Sequence, residues 1–254
     1  MSSFDELLAE TISTPGLLDA SDTSPDEERK LFEHENPPPE STMLLGTATV
    51  STRAMDMIVA FEVSSEAAYN RLYRHPVWPH GKSGVTIGIG YDIGYVTAEV
   101  LATDWDEAIG GPAVGTLKPA CGKTGETAKQ ILPQVKSVDV PFTAADAVFK
   151  KTVMPRFIGR TLAALPPAAE SLTPDCLGAL VSLAYNRGAS FNAAGDRYQE
   201  MRAIRDAIQA GRLADIPAQI RAMKRLWAGK PEMAGLLRRR DLEALLFEQG
   251  LAAA

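Results

Sequence analysis

At 254 residues, 45% of them hydrophobic, the chain is long enough to fill one large or two small hydrophobic cores. Its net charge of −6 is unevenly placed: residues 1 to 50 hold 11 acidic and 2 basic residues, while the other 204 hold 24 basic and 21 acidic. This excludes a strongly basic nucleic-acid binder, since no basic patch is interleaved with aromatics and no known motif is present; it also leaves no hydrophobic run of membrane-spanning length.

The leader comes first in chain order. Rich in Ser, Thr, Asp, Glu and Pro, and including Asn36-Pro37-Pro38-Pro39-Glu40-Ser41, residues 1–50 read as an acidic, disordered segment. Only Phe4, Leu7, Leu8 and Ile12 have helical spacing, which makes a short docking helix the competing reading, although isolated helices this short are marginal. Met1-Ser2-Ser3-Phe4-Asp5-Glu6 lacks the basic start and apolar stretch of a signal peptide, so the expectation is synthesis in the cytoplasm.

Met57-Ile58-Val59-Ala60-Phe61-Glu62 reads as an apolar helix with Met55, Ile58 and Val59 on the face of Glu62. Burial on such a stripe disfavours the ionised carboxylate, which suits a general acid. His75 to Gly84 reads as a loop punctuated by Pro and Gly. From Val85 to Gly90, β-branched residues and glycines alternate as a short strand that lets a ligand or backbone approach closely. Gly88-x-Gly90-x-x-x-Gly94 has the wrong spacing for a dinucleotide fingerprint.

Beyond the strand the chain reads as helices. Thr97 caps one running to Gly110-Gly111, and Thr143 caps one that Pro155 bends or ends. Thr173-Pro174 opens a helix that Gly188 closes, with Leu177, Leu180, Val181, Ala184 and Tyr185 at helical spacing as the centre of a larger lobe. Helices near 196–210, 216–227 and 232–248 follow, and Arg238 to Arg240 read as a solvated, salt-bridged face. Cys121 and Cys176 are too few for a disulfide framework and read as free structural thiols; neither they nor the three histidines have metal-ligand spacing.

Three blocks in order carry a resemblance: Phe61-Glu62 with Ala68-Tyr69 and Thr86-Ile87-Gly88-Ile89-Gly90; Ala179-Leu180-Val181-Ser182-Leu183-Ala184-Tyr185-Asn186-Arg187-Gly188; and Gly235 through Phe247 with Arg239, Arg240 and Glu243. Together they resemble the phage-type lysozymes and bacteriophage endolysins over about residues 54 to 249. The resemblance implies a mostly α, lysozyme-like fold in which a small hairpin-bearing lobe (51–96) faces a helical lobe (97–254). It implies cleavage of the β-1,4 bond after N-acetylmuramic acid in peptidoglycan, in the periplasm or at the cell wall, without a cofactor. Glu62 would be the acid, and Thr86 would place a water or the sugar.

The family's second acidic position lies nine residues after the acid and six before the threonine. Those counts give Arg71 and His80, because this interval is nine residues longer. Asp92 is the leading substitute as base, with Glu66 and His80 as alternatives; Asp92 as a turn residue bonding its own backbone is the competing reading. His80, Tyr91 and Asn186 are the expected substrate contacts. A lytic transglycosylase and a catalytically silent fold binding wall glycan or a partner stay open. So does delivery, by phage lysis or as an injected effector engaging a secretion apparatus and an immunity protein.

Overall fold

The computed structural model describes residues 3–18 and 48–253. The described chain is mostly helical, with one two-stranded antiparallel sheet. It divides into two compact units, Glu62–Met154 and a second made of Met1–Phe61 with Pro155–Ala254. The sequence placed the division near 96 instead. Among the described residues no helix is long and apolar enough to cross a membrane.

The unit Glu62–Met154 is built around the hairpin. Helix α2 (Thr52–Val63) brings the chain in, and Ser64, at φ 60, ends it one residue later. Helix α3 (Glu66–Leu72) starts on Ser65, whose side chain accepts from the Ala68 N–H. The stretch expected as one strand is a turn with two arms: β1 (Thr86–Ile87) and β2 (Tyr91–Asp92) pair Thr86 with Asp92 and Ile87 with Tyr91. Gly88 (φ 59) and Gly90 (φ 66) hold the left-handed backbone that turns the chain, a conformation glycine adopts without steric cost.

Helix α4 (Ala98–Ile109) is capped by Thr97, which accepts from the Val100 N–H, and ends at Gly110 as its sequence indicates. Its Trp105 packs edge-on to Tyr91 at 5.4 Å and against Gly88, where a β-carbon would come within 2.6 Å of the indole. Helices α5 (Gly111–Leu117) and α6 (Gly125–Val135) follow, and both escaped sequence reading; Pro133 inside α6 breaks the expected pattern. Helix α7 (Phe142–Val148) begins on Pro141, ahead of the expected Thr143 cap, because the fixed proline φ already sets the entry. A π turn, Phe149–Val153, joins α7 to α8 (Met154–Ala163) without a break in the helical backbone, so Pro155 directly follows a π bulge instead of ending the helix.

The second unit centres on α9 (Pro174–Arg187), buried along its length from Cys176 to Arg187. Thr173 caps it through the Cys176 N–H, and Gly188 (φ 74) closes it. Around it lie α10 (Gln199–Gln209), α11 (Ile216–Ala222) and α12 (Ala234–Ala252), near the expected positions. Gly178 lets α2 approach, since a β-carbon there would meet Ala54 at 2.3 Å.

Two expectations are corrected in this unit. The start of the leader is not disordered: α1 (Phe4–Ser13) carries a capping box between Ser3 and Glu6 and buries Phe4, Leu8 and Thr11. Arg53 lies 4.7 Å from the Phe4 ring centroid and 3.3 Å from Asp5, while Arg238 reaches Glu10 at 3.2 Å. Docking supplies the stabilisation that a ten-residue helix lacks alone. Residues 19–47, which hold the rest of the expected leader, lie outside the described residues.

The arginine run is the second correction. Arg238 is partly exposed, but Arg239, Arg240 and Glu243 are fully buried. Apolar residues at Leu236, Leu242, Leu246 and Phe247 are buried on the same helix, which therefore has little solvent face to offer the charges. Glu243 Oε1 accepts from Ser182 Oγ at 2.6 Å, Arg239 Nε at 3.3 Å and Arg240 Nη2 at 2.9 Å. Arg240 Nε lies 2.9 Å from Oε2 as an ion pair without hydrogen-bond geometry.

Candidate functional site

Four of the six sequence-derived site residues, Thr86, Asp92, Tyr91 and His80, fall with Glu62 in the unit Glu62–Met154; Asn186 falls in the other. Glu62 is half-buried, in the last turn of α2 and between buried Phe61 and Val63. Half-burial leaves the residue partly reachable from solvent, as proton donation to a ligand requires.

Thr86 is the most constrained of the set. Its backbone bonds Val77 on one side, N to O at 2.8 Å and O to N at 3.0 Å, and it pairs with Asp92 on the other. The inserted loop is thus stitched to the hairpin at Val77, and Gly84 is bridged to Thr124, just before α6. Thr86 is 6% exposed, and its hydroxyl has no hydrogen-bond partner among the described residues. A buried hydroxyl left unsatisfied costs about 1–3 kcal/mol, so this position gains from any ligand or water that bonds it.

Asp92 is committed to the backbone. Its Oδ1 accepts from the Gly94 N–H at 2.9 Å and its Oδ2 from the Gly84 N–H at 3.0 Å. This joins the competing turn-residue reading to a second, longer-range bond that spacing could not reveal. Gly84 and Gly94 meet so closely that a β-carbon on Gly84 would lie 2.2 Å from Asp92 Oδ1 and 2.4 Å from Gly94 Cα. Glycine is required there for space, and the carboxylate clips the two segments together.

The other expected residues sit in different settings. Tyr91 is 6% exposed, and its hydroxyl donates to Asp104 Oδ2 at 2.6 Å. Sequence reading missed Asp104, although its place one residue before Trp105 on the inner face of α4 was available as a signal. His80 is exposed with φ 72 and stacks obliquely on Trp78 at 4.9 Å. Glu66 and Arg71 are exposed on α3. Asn186 is buried and accepts from Arg240 Nη2 at 3.1 Å, joining the Glu243 network. Arg187, beside it, donates to the Arg197 carbonyl at 2.6 Å. Both cysteines are free, and burial pushes each thiol upward, as suits unreactive structural sulfurs. Among the described residues no group of three His, Cys, Asp or Glu is placed to hold a metal ion.

A family model described as "Domain of unknown function (DUF8812)" matches residues 58–155. No curated protein matches the chain. The matched segment and the compact unit Glu62–Met154 begin within four residues of each other and end within one. Sequence similarity and packing therefore mark out the same module, which carries Glu62, Thr86 and Asp92.

Proposed function

We propose that this protein is a lysozyme-like glycosidase that cleaves the β-1,4 bond between N-acetylmuramic acid and N-acetylglucosamine in peptidoglycan. Glu62 protonates the leaving oxygen, and Thr86 holds the attacking water or the sugar through its buried hydroxyl. Asp92, with a backbone N–H on each oxygen, keeps the hairpin in the register that presents Thr86. The observation that carries the reading is Thr86 itself: a rigidly held, buried hydroxyl without a hydrogen-bond partner among the described residues, on the strand whose sequence resembles the lysozyme motif. The half-buried setting of Glu62 supports it.

The engagement of Asp92 favours a second route for the same bond. With no carboxylate at Arg71 or His80, the muramic acid C6 hydroxyl attacks C1, the glycosidic oxygen leaves with the proton from Glu62, and Glu62 recovers a proton from O6. That is lytic transglycosylation, which yields an anhydro sugar and consumes no water. The test is mass spectrometry of muropeptides released from purified sacculi by wild type and Glu62→Gln. Wild type releases disaccharide fragments, and the amide, unable to donate a proton, lowers the rate about 10²–10⁴-fold with an unchanged melting curve. Equal rates refute the assignment of Glu62, and no release by wild type supports the catalytically silent reading. An anhydro terminus selects the intramolecular route over hydrolysis.

A further inference from the structure

The loop that lengthens the interval between Glu62 and Thr86 builds a surface of its own. The Lys82 carbonyl accepts from the Tyr95 hydroxyl at 2.9 Å. The next carbonyl, of Ser83, accepts from the Trp78 indole at 3.0 Å and from the Gly125 N–H at 2.8 Å. The His80 carbonyl takes the Ser83 N–H at 3.2 Å. Two aromatic rings are thereby anchored to consecutive residues of one loop, which is itself fastened to the start of α6. Such anchoring fixes ring orientation before any ligand arrives, the condition for a surface that binds without ordering itself first.

What this surface offers is aromatic and cationic. His80 stands at the exposed tip in the left-handed region (φ 72), where glycine would be the unstrained choice, and its ring lies 4.9 Å from Trp78. Tyr95 is 41% exposed. Lys129 places its ammonium 5.6 Å from the Trp78 centroid, in cation–π range. Lys82 is exposed and makes no ion pair among the described residues; the acidic neighbour is Glu126, 3.6 Å from Lys129. Aromatic rings take the C–H face of a saccharide, and ammonium groups beside them take carboxylates. Two lysines with a carboxylate beside one of them suit a sparsely charged glycan better than a nucleic-acid backbone, which needs a continuous basic track.

We infer that Trp78, His80, Lys82, Tyr95 and Lys129 form a docking platform for a carboxylate-bearing glycan, the peptidoglycan strand with its acidic stems, that tethers the protein to the wall. The choice of occupant rests on the proposed function. The platform is organised by the inserted loop and includes neither Glu62 nor Thr86.

The test is co-sedimentation of full-length Glu62→Gln protein with purified sacculi, alone and carrying Lys82→Gln with Lys129→Gln, or Tyr95→Ala. Removing both ammonium groups weakens binding about tenfold at low salt, less at 0.15 M salt, with melting temperature held within about 2 °C. Tyr95→Ala weakens it without changing the salt dependence. Unchanged binding by the lysine and tyrosine variants overturns the inference. So does displacement by duplex DNA at equal charge concentration, which marks a generic polyanion surface. Muropeptide release by wild type is read in parallel: lysine-dependent binding without release refutes the proposed cleavage and leaves the platform standing.

Discussion

Glu243→Gln is the sharpest test of how the larger unit is held together. Glu243 is fully buried, as are Arg239 and Arg240, and its Oε1 alone accepts from Ser182, Arg239 and Arg240. The amide keeps the volume but removes the compensating charge from two buried guanidinium groups. Breaking a buried ion pair in this way costs about 3–5 kcal/mol. For a protein of this size each kcal/mol lowers the melting temperature by roughly 2–4 °C, so the expected fall is on the order of 6–20 °C. Thermal unfolding followed by circular dichroism measures it. Adding Arg240→Met to Glu243→Gln removes one stranded charge, so the double variant loses less than the sum of the two singles, with a coupling of about 1–3 kcal/mol. A single Glu243→Gln variant that melts within about 2 °C of wild type refutes the reasoning, because the cluster would then be hydrated or already compensated.

Phe4→Ala, which removes the buried anchor of α1, destabilises the protein by about 3–5 kcal/mol in chemical denaturation; a change near zero means that the leader helix does not dock in solution. Asp92→Asn puts an NH₂ against one of two backbone donors, at Gly84 or Gly94, and destabilises by about 1–3 kcal/mol; reduced wall cleavage at full stability instead assigns Asp92 as the base. Burial would raise the pKa of Glu200, but hydrogen bonds from Arg225 and Gln199 outweigh it and hold the carboxyl below the usual glutamate range. A depressed folded value means the stabilisation is complete above the unfolded value of about 4.3 and is lost as pH falls through the lower folded value. Glu200→Gln therefore flattens the fall in melting temperature between roughly pH 5 and pH 3, and an unchanged acid slope contradicts it.

Local chemistry was legible in the sequence, and partnership was not. Thr97 and Thr173 cap their helices and Gly110 and Gly188 close theirs, because a cap is decided by side chains and backbone within three or four residues. The hairpin was only half legible: the alternation from Val85 to Gly90 read as one strand, whereas the left-handed backbone at Gly88 and Gly90 makes it a turn between two short arms. The fate of each carboxylate and guanidinium was set elsewhere. Asp92 is fixed by Gly84, eight residues back; Arg239 bonds Ser182, 57 residues away; and α1 is held by Arg53 and Arg238, on segments its own spacing cannot foresee. Propensity and capping are properties of short windows, whereas burial and charge compensation depend on which distant elements come to lie against a side chain, and only the tertiary structure decides that.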